Sequence, residues 1–247
     1  MKLKIGIFDS GIGGFTVLNS LLKTRKDVEV FYLADTKRVP YGKKNFDQIR
    51  CFANEICKWF RDKKLDALLI ACNTTNACAL DILENNQITP CFDLINSASE
   101  IITKKNIGIL ATPTTVRSSY YKKIIESKRE NVRVFQKECP EFVSEIEKPK
   151  LNLSKLNYLA DLYIKPLLDE NIEEIILGCT HYPLIYNILK NKINPNIRII
   201  DPSASLIKKF NDSFLIPKNT CCETISYDNV RFFVTSKSEE FSKKVKY

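Results

Sequence analysis

Lys4-Ile5-Gly6-Ile7-Phe8 and Asn106-Ile107-Gly108-Ile109-Leu110 are near-copies 102 residues apart. Each precedes a second matched segment, Asp66–Thr74 (D-A-L-L-I-A-C-N-T) and Glu173–Thr180 (E-E-I-I-L-G-C-T), whose cysteines lie 107 residues apart. All four segments hold short apolar runs, the pattern of strands buried on both faces. Val28–Ala34, Val132–Phe135 and Ile197–Ile200 read the same way. Between them, Ile49, Phe52, Ala53, Ile56 and Phe60 recur at helical spacing and make one apolar face. Leu156–Leu168 and Leu184–Ile193 show similar helical patterns. Strands alternating with helices predict an α/β fold of doubly wound parallel sheets. The repeated order, strand-start motif and then strand-Cys motif, predicts two pseudo-symmetric domains of about one hundred residues each. A late strand at Arg231–Val234 is expected to pack back on the first half. The expected domains are therefore 1–95 with 205–247, and 96–204.

Composition narrows the function classes. The 247 residues are 44% apolar and 27% charged, enough for an ordinary globular core. No run of about 18 apolar residues is present, so no membrane span is expected. Asp9 interrupts the N-terminal apolar run too early for a signal-peptide core, and a cytoplasmic location is expected. Nine cysteines, an odd number without a C-x-x-C pair, do not form a secreted disulfide framework. With a single histidine they also give no zinc-ligand spacing, and no metal is expected. Cys51, Cys57, Cys78, Cys91 and Cys139 are expected to be small buried hydrophobes. The adjacent Cys221 and Cys222 have no reading. The net charge of +9 comes from lysines spread along the chain, with one cluster at Lys243-Lys244-Val245-Lys246. A solvated basic surface is favoured over a nucleic-acid interface, and its field would draw in a small anion.

The chemistry concentrates at four strand ends, where open parallel sheets bind ligands. Asp9-Ser10-Gly11, Cys72-Asn73-Thr74, Thr112-Pro113-Thr114-Thr115 and Cys179-Thr180-His181 each follow an apolar run. One strand-end cysteine is most simply a packing residue. Two in matched frames, each with a threonine within two positions, point to function. A helix N-terminus beyond each thiol is expected to lower its pKa. Asp9 reads otherwise as a helix cap, and His181 as an ordinary structural histidine. Near the two thiols they would complete two acid–base pairs. Gly11-Ile12-Gly13-Gly14, with Asp35 ending the second strand, has part of a dinucleotide fingerprint. Thr16 stands where its third glycine would be, so a tight turn against a small substrate is preferred. Val39-Pro40-Tyr41-Gly42 reads as a second turn.

Taken together, D-S-G-I-G-G at Asp9–Gly14, V-P-Y-G at Val39–Gly42, A-C-N-T at Ala71–Thr74 and G-C-T-H-Y-P-L at Gly178–Leu184 resemble the glutamate racemases of the aspartate/glutamate racemase family. The motifs occur in the family's order from Ile5 to about Ser203. The resemblance implies an active site between the two domains and no cofactor. It implies that Cys72 and Cys179 are catalytic and that Asp9, His181 and Glu147 assist. Ser10, Tyr41, Gly42, Asn73, Thr74, Thr112, Thr115 and Thr180, with Asp9 and His181, would bind the substrate, glutamate. It further implies proton transfer between two bases at the α-carbon, a product used in peptidoglycan synthesis, and a homodimer. Two stretches depart from the family's pattern: Thr75-Asn76 after C-N-T, and Phe142–Glu147, which replaces a more apolar run. Aspartate racemase is the neighbouring alternative. A nucleotide-dependent oxidoreductase and a basic RNA-binding module are the alternatives from other classes.

Overall fold

The computed structural model describes residues 2–86, 89–215 and 225–245. Among these residues nine strands form two sheets: β1 (Leu3–Asp9), β2 (Val28–Ala34), β3 (Ala67–Ile70), β4 (Cys91–Asp93), β5 (Asn106–Ala111), β6 (Arg133–Glu138), β7 (Glu174–Gly178), β8 (Arg198–Ile200) and β9 (Val230–Val234). The first sheet has the order β4-β3-β1-β2-β9 and the second β6-β5-β7-β8. Every ladder among the described residues is parallel.

The internal repeat extends to the register. In the first sheet Gly6 pairs with Leu68 and Ile7 with Leu69. Adding the offsets 102 and 107 gives Gly108 with Ile175 and Ile109 with Ile176, the pairs found in the second sheet. The order β4-β3-β1-β2 is likewise β8-β7-β5-β6 in the second half, and β9 is an extra strand on the first. Both faces of each sheet are covered, as parallel sheets require. Ile5, Ile7 and Leu69 face one apolar core, and Phe8, Leu68 and Ile70 face another. In the second sheet Leu110, Ile175 and Leu177 face one core, and Ile107, Ile109 and Ile176 the opposite one.

The expected strands and the helix over Ile49–Phe60 are present, the latter within Phe46–Arg61. Asn45 caps that helix. Its side chain accepts from the Gln48 N–H at 2.9 Å, while its own N–H donates to Gln48 Oε1 at 3.1 Å. Two expectations need correction. Leu184–Ile193 is not one helix. Pro183 starts a 3₁₀ turn at Tyr182–Ile185, and only Tyr186–Lys190 is α-helical. Cys51 is exposed, one position off the apolar stripe of its helix, and Cys78 and Cys91 are half-buried; Cys57 and Cys139 are buried. Strand β4, only three residues long, had no reading in the sequence. Cys221 and Cys222 lie outside the described residues.

One short helix, Phe142–Ile146, joins the second core to the site described below. Phe142 is fully buried, with its ring centroid 5.0 Å from that of Tyr163 and 5.2 Å from that of Tyr182. Phe142→Ala is expected to lower stability by about 3–5 kcal/mol. Urea unfolding measures it, and a loss under about 1 kcal/mol would mean that this core repacks freely.

Candidate active site

The carboxyl ends of the two sheets face one another. Because β1 pairs with β3 and β5 with β7, residues just past these strands become neighbours. Cys72 Sγ lies 3.8 Å from Ser10 Oγ on the first side. On the second side Cys179 Sγ lies 3.8 Å from His181 Nδ1. Both cysteines line one cavity, with Ser10, Asn73, Thr74, Thr112 and Thr180. The space is tight. A water centre can move through only about 10 Å³ of it, which is about one water's worth.

Hydroxyl contacts hold the two sides together. Thr180 Oγ1, from the second sheet, donates to Asp9 Oδ2 of the first at 3.0 Å. Thr74 Oγ1 and Thr112 Oγ1 are 3.0 Å apart, and Thr115 Oγ1 contacts both, at 3.3 and 2.9 Å. The glycine loop closes against the same motif. A Cβ on Gly13 would stand 2.5 Å from Thr180 Oγ1 and 2.6 Å from His181 Nδ1. Glycine at position 13 therefore lets the loop approach the Thr180-His181 turn closely, rather than making room for a substrate. Gly42 packs equally close to Thr112, so that any Cβ there would collide with it.

The remaining expected residues take distinct places. Asn73 lines the cavity; its Oδ1 accepts from Tyr121 at 2.6 Å, and its buried Nδ2 has no partner among the described residues. Tyr41 also lines it, but its hydroxyl donates to Asp35 and points away. Asp9 is fully buried and spends its carboxylate on the Gly11 N–H, at 2.7 Å, and on Thr180. Thr115 and Glu147 stand behind the wall. Glu147 Oε1 accepts from His181 Nε2 at 2.8 Å and from the Ile12 N–H at 3.2 Å. Val143 lines the cavity too, and nothing in the sequence marked it. Lys244, expected to be ordinary surface charge, donates to Glu147 Oε2 at 2.7 Å.

The electrostatics differ between the two sides. Burial pushes the Cys72 thiol up to about 12, with the Asp9 charge adding to it. Contacts from Thr75 and Ser10 oppose this without prevailing. The expected lowering by the following helix is thus overturned at Cys72, because burial outweighs it. Burial also raises Asp9, against the opposing charge of His181. At His181 burial acts downward, but the bonds and charges of Cys179 and Glu147 win and hold it well above its usual value. Glu147 is held down to about 2: burial would raise it, but His181 and Lys244 prevail. Among the described residues no group of three or more His, Cys, Asp or Glu side chains is placed to hold a metal ion. No helix among them is long and apolar enough to cross a membrane.

Two matched parallel sheets each bring a thiol to one small cavity lined by hydroxyl, amide and imidazole side chains, the arrangement of a candidate acid–base site. A sequence model described as Asp/Glu/Hydantoin racemase matches residues 14–210. A glutamate racemase of Prochlorococcus marinus is 42% identical over 99% of this chain and 92% of its own length. The crystal structure of a Francisella tularensis glutamate racemase in complex with D-glutamate superposes with a TM-score of 0.88 at 32% identity, over 98% of this chain and 91% of that one. A Campylobacter jejuni glutamate racemase gives a TM-score of 0.87 at 30% identity, over 99% and 97%. The chain belongs to the Asp/Glu/Hydantoin racemase family and is an amino-acid racemase, an isomerase.

Glu147 makes stability depend on pH. Its pKa is depressed to about 2 from the usual 4.5. The stability this carries is present above pH 4.5 and lost as pH falls toward 2. Glu147→Gln is expected to flatten this acid limb by on the order of 3 kcal/mol. Urea unfolding across that range checks it; superimposable curves for variant and parent would contradict it.

Proposed function

We propose that this chain interconverts L- and D-glutamate without a cofactor, by proton transfer at the α-carbon between Cys72 and Cys179. The observation that carries the reading is that both sulfurs line one cavity from corresponding positions of two like sheets. Inverting a carbon requires a base on one face and an acid on the other. One thiolate removes the α-proton while the other thiol delivers a proton to the opposite face. In the reverse direction they exchange roles. Burial keeps Cys72 a thiol at rest, so it is set as the acid for L-glutamate. Cys179 then takes the L-enantiomer's proton, and His181 steadies its charge. Asp9 ties the Thr180 turn in place, and Glu147 fixes the imidazole ring.

The α-proton is weakly acidic, so the developing carbanion needs fixed donors. Ser10 Oγ and Asn73 Nδ2, the latter without a partner among the described residues, would donate to the two carboxylates; Thr74, Thr112 and Thr180 would join them once their present hydroxyl contacts regroup around the substrate, and each such donor contributes about 3 kcal/mol in comparable oxyanion sites. The Tyr41 ring, Gly42 and the Thr115 hydroxyl shape and brace the wall. Room for about one water does not admit glutamate, so the lobes 1–95 with 205–247 and 96–204 part for entry and close for chemistry. The names of the similar proteins favour glutamate over aspartate as the substrate. A cytoplasmic setting, supply of D-glutamate to peptidoglycan and homodimer assembly belong to the same proposal, by likeness to the family.

L-glutamate incubated with the enzyme in deuterated water, with no additive, tests the reading. Deuterium is expected in D-glutamate before much enters the remaining L-glutamate. Cys72→Ser and Cys179→Ser are each expected to lose about 10²–10⁴-fold in turnover while remaining folded. Near-normal turnover in both variants would refute the two-thiol reaction.

A further inference from the structure

The helix Ser238–Val245 sends one side chain into the first half of the molecule and another to the second. Phe241 is buried in the first sheet's core, with ring centroids 5.7 Å from Phe15, 6.2 Å from Tyr32 and 6.2 Å from Phe232. Lys244, three positions on and so on the same helix face, crosses to Glu147. Its ammonium donates to the Glu147 backbone oxygen at 2.5 Å and to Oε2 at 2.7 Å. The other carboxylate oxygen holds His181 Nε2 and the Ile12 N–H. His181 Nδ1 faces the Cys179 sulfur. A continuous line of contacts thus runs from the C-terminal helix to one of the two sulfurs.

We infer that Lys244 is a positioning residue for the acid–base group at Cys179, with its helix acting as a strap between the two sheets. An exposed lysine–carboxylate pair contributes little, because water competes and two long side chains must be ordered. This pair differs. Lys244 is 21% exposed and Glu147 18%, and the ammonium meets two acceptors on one residue. Both oxygens of Glu147 are therefore occupied, and its carboxylate cannot swing away from the imidazole. The ammonium also withdraws charge from the carboxylate, so Glu147 holds the imidazole proton without taking it. Loss of the ammonium frees Oε2 and lets the ring drift from the sulfur. A small misplacement at a proton-transfer centre slows the chemical step more than it weakens substrate binding.

The inference rests on Cys179 being a reacting sulfur, and the test separates the two. Racemisation of glutamate is measured in the unaltered chain, in Lys244→Met and in Lys244→Arg, with thermal unfolding of each. Methionine keeps much of the apolar stem and removes the charge. In Lys244→Met, kcat is expected to fall about tenfold with KM changed less than about twofold. Arginine can reach both acceptors and is expected to return kcat to within about threefold of the unaltered chain. Unchanged kcat in Lys244→Met overturns the inference and leaves the two-thiol reading intact. A loss that arginine does not restore, with Tm lowered in both variants, marks the contact as structural alone and also overturns it. No racemisation by the unaltered chain overturns both.

Discussion

The hydrogen bond from Thr180 to Asp9, 3.0 Å long and buried, joins the turn after one sheet's cysteine to the first strand of the other sheet. The two sheets bring their carboxyl ends together through this bond, the hydroxyl cluster of Thr74, Thr112 and Thr115, and the close approach at Gly13. Only because those ends meet do Cys72 and Cys179 share a cavity. A fully buried carboxylate is costly unless its oxygens are satisfied. Asp9 meets that cost with the Gly11 N–H and the Thr180 hydroxyl. Its charge also has a consequence beyond structure, since it adds to the burial that keeps the Cys72 thiol protonated.

The frame is symmetric and the chemistry on it is not. The two halves share strand order and register at the level of individual residue pairs. Yet Cys72 faces hydroxyls, whereas Cys179 faces an imidazole backed by a carboxylate and an ammonium. Under the proposed reaction this difference has a use. Two identical thiols in identical settings would favour the same protonation state, while proton transfer across a carbon needs opposite states at one moment. Unequal surroundings set that starting condition, and the exchange of a proton through the substrate reverses it.

Much of this was legible in the sequence, for physical reasons. Continuous apolar runs such as Val28–Ala34 mark strands covered on both faces, and that span is β2 residue for residue. The cysteine motifs declared themselves because the same frame occurs twice. Short-range signals failed where tertiary contact decides. Strand β4 has three residues, too few for periodicity, and pairs with β3 only because the fold delivers it there. Glu147 and His181 are 34 residues apart, and Lys244 is 97 beyond Glu147, so no local pattern links them. Tyr41 shows the complementary limit. Its motif pointed to the site, but only the structure shows the hydroxyl turned to Asp35 and the ring packed against Phe8 and Phe52, beside the cavity.

The most direct measurement is a crystal structure of this chain with glutamate bound in the cavity between Cys72 and Cys179. The substrate α-carbon is expected between the two sulfurs, each about 3–3.5 Å away and on opposite faces of the carbon. Both sulfurs on one face, or either one beyond reach of the α-carbon, would contradict the two-thiol reaction.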